Sequence, residues 1–324
     1  MRHIDFKTDI EFYDSDLYTE TAKQWQAEFI QLDRGDFHAK IRQIGMHGTQ
    51  LGECSLNRKL HQNGLAPQGG RTFIIQKRVE GNFMWRGQSV ANDHLLCFPY
   101  NSDFESLSPS DFHIYAIHIP QEMLEKKAEA MEFSYPSSLL LGMEVVHLPS
   151  EALENFRREI EILLGDIYYN HLDESAVREE YWFRLNNLMD RLISQWLSGS
   201  RVYQPILNMR QSQSYKNVID YMTAHGGRSL KIAELCDAAA VSERSLQYLF
   251  KNYLQMSPKQ YLLSRKYDEV RRTLRSDGGE SVSEVAKKWG FRHMGQFAAG
   301  YKARFGELPS TDKTKVYSLG SHTL

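Results

Sequence analysis

The run Leu230–Tyr261, LKIAELCDAAAVSERSLQYLFKNYLQMSPKQY, decides how this chain is read. It divides into two short helices around a tight turn. Ile232, Leu235, Cys236 and Ala239 recur at helical spacing on one face of the first. Val241 plugs the turn. Ser242 is suited to cap the second helix, because its hydroxyl can accept from the unpaired N–H groups of the first turn. Leu246, Leu249, Phe250 and Tyr253 then lie along one side of that helix, and Glu243, Arg244, Gln247, Tyr248 and Lys251 along the other. One apolar face and one face of long hydrogen-bonding side chains suit a DNA major groove, so the pattern predicts a helix-turn-helix.

The same grammar returns about fifty positions later in Ser281–Phe305, SVSEVAKKWGFRHMGQFAAGYKARF. Val282, Val285, Ala286 and Trp289 form an inner stripe. Gly290 supplies the turn, where a positive φ costs glycine little. Phe291 takes the place of Val241, and Phe297 and Tyr301 anchor the next helix. Between the units, Pro258–Leu274 predicts one long connecting helix with Tyr261, Leu262, Val270 and Leu274 on its apolar side. Pro258 fits the first turn, where a missing N–H goes unnoticed.

Two such units joined by one helix resemble the AraC/XylS family of bacterial transcription regulators. The matching residues are Ser242, Leu246, Phe250, Ser257-Pro258, Tyr261-Leu262, Arg265, Ala286, Gly290-Phe291, Phe297, Tyr301-Lys302, Phe305-Gly306 and Pro309-Ser310. The likeness covers the C-terminal third. Within it, WGFRHMGQFAAGYKARF resembles the ethanolamine-utilisation regulators more narrowly. The family resemblance implies a cupin-like N-terminal barrel that binds a small effector, a homodimer, promoter or operator DNA and RNA polymerase as partners, and an activator. It implies neither the identity of an effector nor any residue that would hold one.

Length and charge agree with this. The 324 residues suffice for about two domains. From Asn208 to the end, 19 Lys and Arg face 11 Asp and Glu, whereas the remainder holds 20 against 30. A basic C-terminal third suits a phosphate backbone, with binding that weakens as salt rises. An acidic partner domain discourages indiscriminate sticking. Cys54, Cys97 and Cys236 lie far apart without C-x-x-C spacing, which fits a reducing compartment and no zinc ribbon. MRHIDFKTDI has no apolar core of a signal peptide, and no stretch reaches eighteen apolar residues, so cytoplasmic residence is expected.

The expected fold class is α+β. Residues 1–200 form an effector-sensing and dimerisation domain, 201–213 a linker, and 214–312 an all-α DNA-binding domain. Residues before about 30 read as partly helical. DFHAKIRQIGM, TQLGECSLN, RTFIIQKRV, NFMWRGQSV, HLLCFPYN and HIYAIHIP then read as strands of a cupin-like β-barrel over about 30–120. Asn63-Gly64, Gly69-Gly70, Glu80-Gly81-Asn82 and Asn101-Ser102-Asp103 are the turn signals between them. Helices follow over about 121–199. One carries Leu153, Phe156, Ile160, Leu163, Leu164 and Ile167. The next carries Val177, Tyr181, Leu185, Leu188, Leu192 and Trp196. These stripes suit either a cover for the barrel or a dimer interface.

On the first recognition helix, Arg244 suits guanine and Gln247 suits adenine. Tyr248 suits a phosphate or a thymine methyl, and Ser245 and Lys251 suit the backbone. The second helix offers Met294, Gly295 and Ala299, flanked by Arg292, His293, Gln296 and Lys302. Met and Ala donate no hydrogen bonds, so this unit is expected to read less sequence and to clamp phosphates. Gly300 lowers helix propensity by up to ~1 kcal/mol, for no reason visible in the sequence. The two units are expected in successive major-groove segments about 34 Å apart.

Two other readings stand beside this one. The first is a DNA-binding regulator without an effector, its N-terminal domain serving dimerisation or protein partners. The second and more remote is a metal-dependent cupin enzyme, raised by His38, His47, His61, His94, His113 and His118. Against it, His113 and His118 are five apart, not the two that put neighbours on one strand face. Nucleophile-elbow, P-loop, dinucleotide and H-E-x-x-H motifs are all missing, so no catalytic residue, cofactor or metal is assigned. Phe73, Phe83, Trp85, Phe98 and Tyr115 are candidates to line an effector pocket, though strand aromatics are usually core.

Overall fold

The computed structural model describes residues 5–21, 27–79, 81–133, 144–169, 175–202, 209–225, 228–276 and 279–314. The chain opens with β1 (Phe6–Phe12), α1 (Ser15–Thr21), β2 (Ala27–Gln31), β3 (Ala39–Met46), β4 (Thr49–Leu56), β5 (Leu60–Leu65) and β6 (Gly70–Val79). Next come β7 (Phe83–Trp85), β8 (Gln88–Val90), β9 (His94–Cys97), β10 (Asp103–Ser108) and β11 (Phe112–Pro120). Then follow α2 (Gln121–Ala130), β12 (Val145–His147), α3 (Ser150–Tyr169), α4 (Ser175–Ser198) and β13 (Ser200–Arg201).

The strands make two sheets: eight strands in the order β1-β3-β4-β11-β6-β9-β12-β13, and five in the order β2-β5-β10-β7-β8. Among the described residues they do not close into one barrel. Alternation along a strand records which face is dry, not which edges pair, and here β1 and β13 are the edges of the large sheet. One further expectation changes. Asn63-Gly64 is not a turn: both residues lie inside β5, paired with Glu105 and Phe104 of β10. The start of the chain is partly helical as expected, in α1, and Phe6–Phe12 ahead of it pairs with β3 in full register.

Each sheet has two occupied faces. Ile117, Ile119 and Tyr115 point outward from the large sheet into a core shared with α2, α3 and α4, where Leu153, Ile160, Leu185 and Trp196 are buried. The helical stripes thus cover the sheet. Val177 lies outside the residues whose side chains are described. The inner faces of the two sheets meet around Phe12, Phe29, Phe83 and Phe112. The outer face of the small sheet contributes Ile30, Leu32, Met84 and Leu107 to a third core, built with the C-terminal helices.

Those helices are α5 (Met209–Ala224), α6 (Ile232–Ala239), α7 (Glu243–Leu254), α8 (Pro258–Arg275), α9 (Val282–Lys288), α10 (Met294–Phe305) and α11 (Pro309–Thr314). Of the expected linker at 201–213, Arg201 ends β13 and 209–213 open α5, while 203–208 lie outside the described residues. The polar run Gln211–Ser214 is helical because Tyr215, Val218, Ile219 and Met222 behind it supply a buried face. No helix of the described residues is long and apolar enough to cross a membrane.

Candidate nucleic-acid interface and internal cavity

Local chemistry sets both helix-turn-helix units as their sequences predict. Ser242 Oγ accepts from the Ser245 N–H at 3.2 Å and starts α7. Ser257 and Gln260 form a reciprocal capping box around Pro258 at the head of α8, and Ser281 and Glu284 do the same for α9. Gly290 turns with φ 84°. The equivalent turn of the first unit uses Ala240 at φ 51°.

Leu246, Leu249, Phe250 and Tyr253 anchor α7 in the third core, beneath the first unit, so Arg244, Ser245, Gln247, Tyr248 and Lys251 are exposed together. In the second unit, Phe297 and Tyr301 are buried and Gln296, Lys302 and Ala299 are exposed on α10. Arg292 and His293 are exposed just before it. Met294 is half-buried against the second unit's own core beside Phe291, which leaves less of it to meet a base.

The structure supplies the reason for Gly300. A Cβ there would sit 2.1 Å from the Tyr267 hydroxyl, and the Tyr267 ring is held between Phe291 and Phe297. Gly300→Ala is therefore expected to destabilise the protein by about 1–3 kcal/mol through overpacking, despite its better helix propensity. Chemical denaturation measures this, and adding Tyr267→Phe should recover part of the loss.

A charged cluster on α8 was not foreseen. The buried Asp312 carboxylate accepts from Arg271 Nε at 3.0 Å, Arg275 Nε at 2.7 Å and the Tyr301 hydroxyl at 2.5 Å. The same two arginines reach Asp14, just ahead of α1, at 2.6 and 2.5 Å. Burial pushes the Asp14 carboxyl up, but the Arg275 and Arg271 guanidiniums outweigh it and hold the group below its ordinary value. In the sequence these arginines look like a solvated face.

The first unit rests on the small sheet through a hydrogen-bonded chain. Tyr261 O–H lies 2.8 Å from His61 Nδ1, and His61 Nε2 lies 3.0 Å from Glu105 Oε1. The Tyr215 hydroxyl donates to the same Glu105 oxygen. Arg265 pairs with Glu28 at 2.9 Å. Glu28, His61 and Glu105 sit on β2, β5 and β10. Their neighbours Phe29, Gln62 and Ser106 point through the sheet to its other side.

There they meet a cavity of about 510 Å³ between the two sheets. Phe83 and Phe98 line it, as expected of two of the five candidate aromatics. Phe73 and Tyr115 instead face the α2–α4 layer, and Trp85 packs on Phe98 and Phe104. Gly52 and Ala116 stand opposite each other in its wall, and their small side chains leave the space open.

The histidines are dispersed. His38 approaches Glu11, His47 lies against Trp182, His94 faces His147, and His118 bonds to Thr72. Among the described residues, no group of three or more His, Cys, Asp and Glu is placed to hold a metal ion.

Two recognition helices displayed on one all-α unit define a double helix-turn-helix protein. A family model described as a helix-turn-helix domain matches residues 235–315. The XylDLEGF operon transcriptional activator of Pseudomonas putida is 33% identical over 244 residues, covering 74% of this chain and 73% of that protein. A probable thc operon regulatory protein of Rhodococcus erythropolis is 41% identical over 100 residues, 30% of each chain. Among solved structures, the AraC-like transcriptional activator CuxR aligns with TM-score 0.43 and 11% identity over 87% of this chain and 100% of that one. The chain belongs to the AraC/XylS family of transcriptional regulators. It binds DNA and is not an enzyme, which sets aside the metal-dependent cupin.

Proposed function

We propose that this protein is a transcriptional activator whose engagement of promoter DNA is controlled by a small molecule held in the cavity between its two sheets. The observation that carries this is the shared wall: β2, β5 and β10 present Phe29, Gln62 and Ser106 to the cavity, and Glu28, His61 and Glu105 to Arg265 and Tyr261 of α8 and Tyr215 of α5. The Tyr215 and Tyr261 rings in turn pack on α7. A ligand that binds one arrangement of this sheet better shifts the population of arrangements available to α7. The activator role draws support from the Pseudomonas putida relative. Residues 1–200 serve as the sensing part and the helices from Met209 to Thr314 as the DNA-binding part, working in the cytoplasm with RNA polymerase as partner.

Arg244, Gln247 and Tyr248 are the proposed base-reading residues, with Ser245 and Lys251 on phosphates. Arg292, His293, Gln296 and Lys302 clamp the backbone at the second site, where Met294 adds at most an apolar contact. Arg244→Ala is expected to cost about 1–3 kcal/mol and to relax preference at one base position. Titration against a panel of single-base operator variants measures this, and equal losses on every sequence would assign Arg244 to phosphate. A homodimer is proposed through the outward side of α3 and α4, where Ile162, Tyr169 and Phe183 are exposed.

The effector reading is tested by thermal unfolding of the full chain across a metabolite panel, ethanolamine with adenosylcobalamin included because of the narrower likeness at Trp289–Phe305. A ligand at a hundred times its dissociation constant should add about 2.7 kcal/mol of stability. It should also change operator affinity by the factor by which DNA changes the ligand's own affinity. Stabilisation by no ligand would favour an N-terminal part that serves dimerisation or protein partners alone.

A further inference from the structure

We propose that the cavity selects an uncharged effector, with an aromatic or similarly apolar body and one hydroxyl, carbonyl or amide group at one end. This rests on the effector reading above and names the chemistry of its ligand.

The inner face of the large sheet grades from polar to apolar. Gln50, His118 and Thr72 are direct cross-strand neighbours on β4, β11 and β6. The next rank holds Gly52, Ala116 and Ile74, and beyond it lie Ile41 and Ile114. Phe29, Phe83 and Phe98 complete the apolar body. A molecule filling this space therefore meets Gln50, His118 and Thr72 at one end of the large sheet and rings and branched chains beyond them, with Gln62 and Ser106 on the facing sheet and Tyr18 bonded to Cys54 as further uncharged polar groups.

None of those polar groups carries a usable charge. Among the described lining residues there is no Lys or Arg. His118 is held below its ordinary pKa by burial, so at neutral pH its imidazole is neutral, with Nδ1 3.0 Å from Thr72 Oγ1. Gln43 Nε2 donates to Gln50 Oε1 at 2.6 Å, which leaves the Gln43 oxygen and the Gln50 amine as one acceptor and one donor.

The two acidic lining residues are committed elsewhere. Asp5 is exposed and accepts from the Gly48 N–H at 3.1 Å. Glu53 pairs with Arg42 and, at 2.9 Å, with Lys77. Those cations belong to the helix-covered side: Lys77 also reaches Glu161 of α3 at 3.0 Å, and Arg42 lies over the Tyr168 ring. A carboxylate in the cavity would thus lose its water without gaining a counter-charge, and an ammonium would meet only the exposed, solvated Asp5, a heavy cost for either ion.

The experiment is calorimetric titration of the full chain at neutral pH with four biphenyls that share one body: biphenyl-4-methanol, biphenyl-4-carboxamide, biphenyl-4-carboxylate and biphenyl-4-methylamine. The alcohol or the amide is expected to bind at least about tenfold more tightly than either ion. Equal or tighter binding of the carboxylate or the amine overturns the uncharged assignment and leaves the effector reading standing. Binding by none of the four, nor by a wider set of uncharged aromatics, overturns both. Gln43→Arg and Gln43→Glu provide the reciprocal check. The first should raise affinity for the carboxylate and the second for the amine. Should neither variant change the order, the ligand sits outside this cavity and the proposal fails.

Discussion

Asp312→Ala is expected to lower stability by about 3–5 kcal/mol, the usual cost of removing one partner from a buried ionic cluster. The residue sits on the short helix α11, yet its carboxylate is fully buried and receives Arg271, Arg275 and the Tyr301 hydroxyl at once. Without it, two guanidiniums in the interior lose a carboxylate they share and keep Asp14, Asp16 and Glu307 as acceptors, and the tyrosine loses its bond. Urea denaturation reads the loss, and hydrogen exchange at the amides of α9 and α10 assigns it to the second unit, whose core holds Trp289. Operator binding through α10 should fall in parallel, with the first unit retaining weak binding of its own. A loss under about 1 kcal/mol would show that the cluster is solvated and contributes as a surface pair does.

Asp14→Ala is expected to release the second unit from the N-terminal part, at a cost of about 3 kcal/mol for two charge-assisted hydrogen bonds. Asp14 meets Arg271 and Arg275 with its Oδ2 and caps α1 with its Oδ1, which accepts from Asp16 and Leu17 N–H at 2.8 and 3.2 Å. Asp14→Asn keeps the cap and removes the charge, so the pair of variants separates the two roles. The readout is hydrogen exchange at Gly35, whose N–H donates to Arg304 carbonyl oxygen across the same contact at 3.2 Å. Faster exchange in both variants assigns the docking to the charge. Faster exchange in the alanine variant alone assigns it to the cap.

This contact also has a pH signature. Asp14 is depressed in the folded chain relative to the ordinary 3.8. A depressed carboxyl contributes stability that is fully present above the unfolded value and is lost as pH falls through the folded one. The part of the docking that Asp14 supplies should hold from neutrality down to about pH 4 and weaken below it, so the difference between wild type and Asp14→Asn should shrink on the acid limb.

How much was legible in the chain follows the range of the interactions involved. The cap Ser242 and the turn glycine Gly290 act within four residues and behave as the sequence says, and Ser257 and Ser281 cap their helices over the same short range. The exposure of Arg244, Gln247 and Lys251 follows from helical spacing, since burying Leu246, Leu249 and Phe250 leaves them nowhere else to point. Strand boundaries were harder. Asn63-Gly64 looks like a turn, and only its pairing with β10 and β2 makes it strand.

The sequence by itself determined the two helix-turn-helix units, their connecting helix, the basic face they present and the kind of partner that face meets, because periodicity and capping are local. Tertiary structure alone decided the remainder. It placed Tyr267 against Gly300, brought Asp14 to arginines more than 250 positions away, and set β2, β5 and β10 as one wall between a cavity and the helices α5 and α8. Such contacts depend on which sheet faces which helix. A buried arginine and a solvated one read identically until the chain has folded around them.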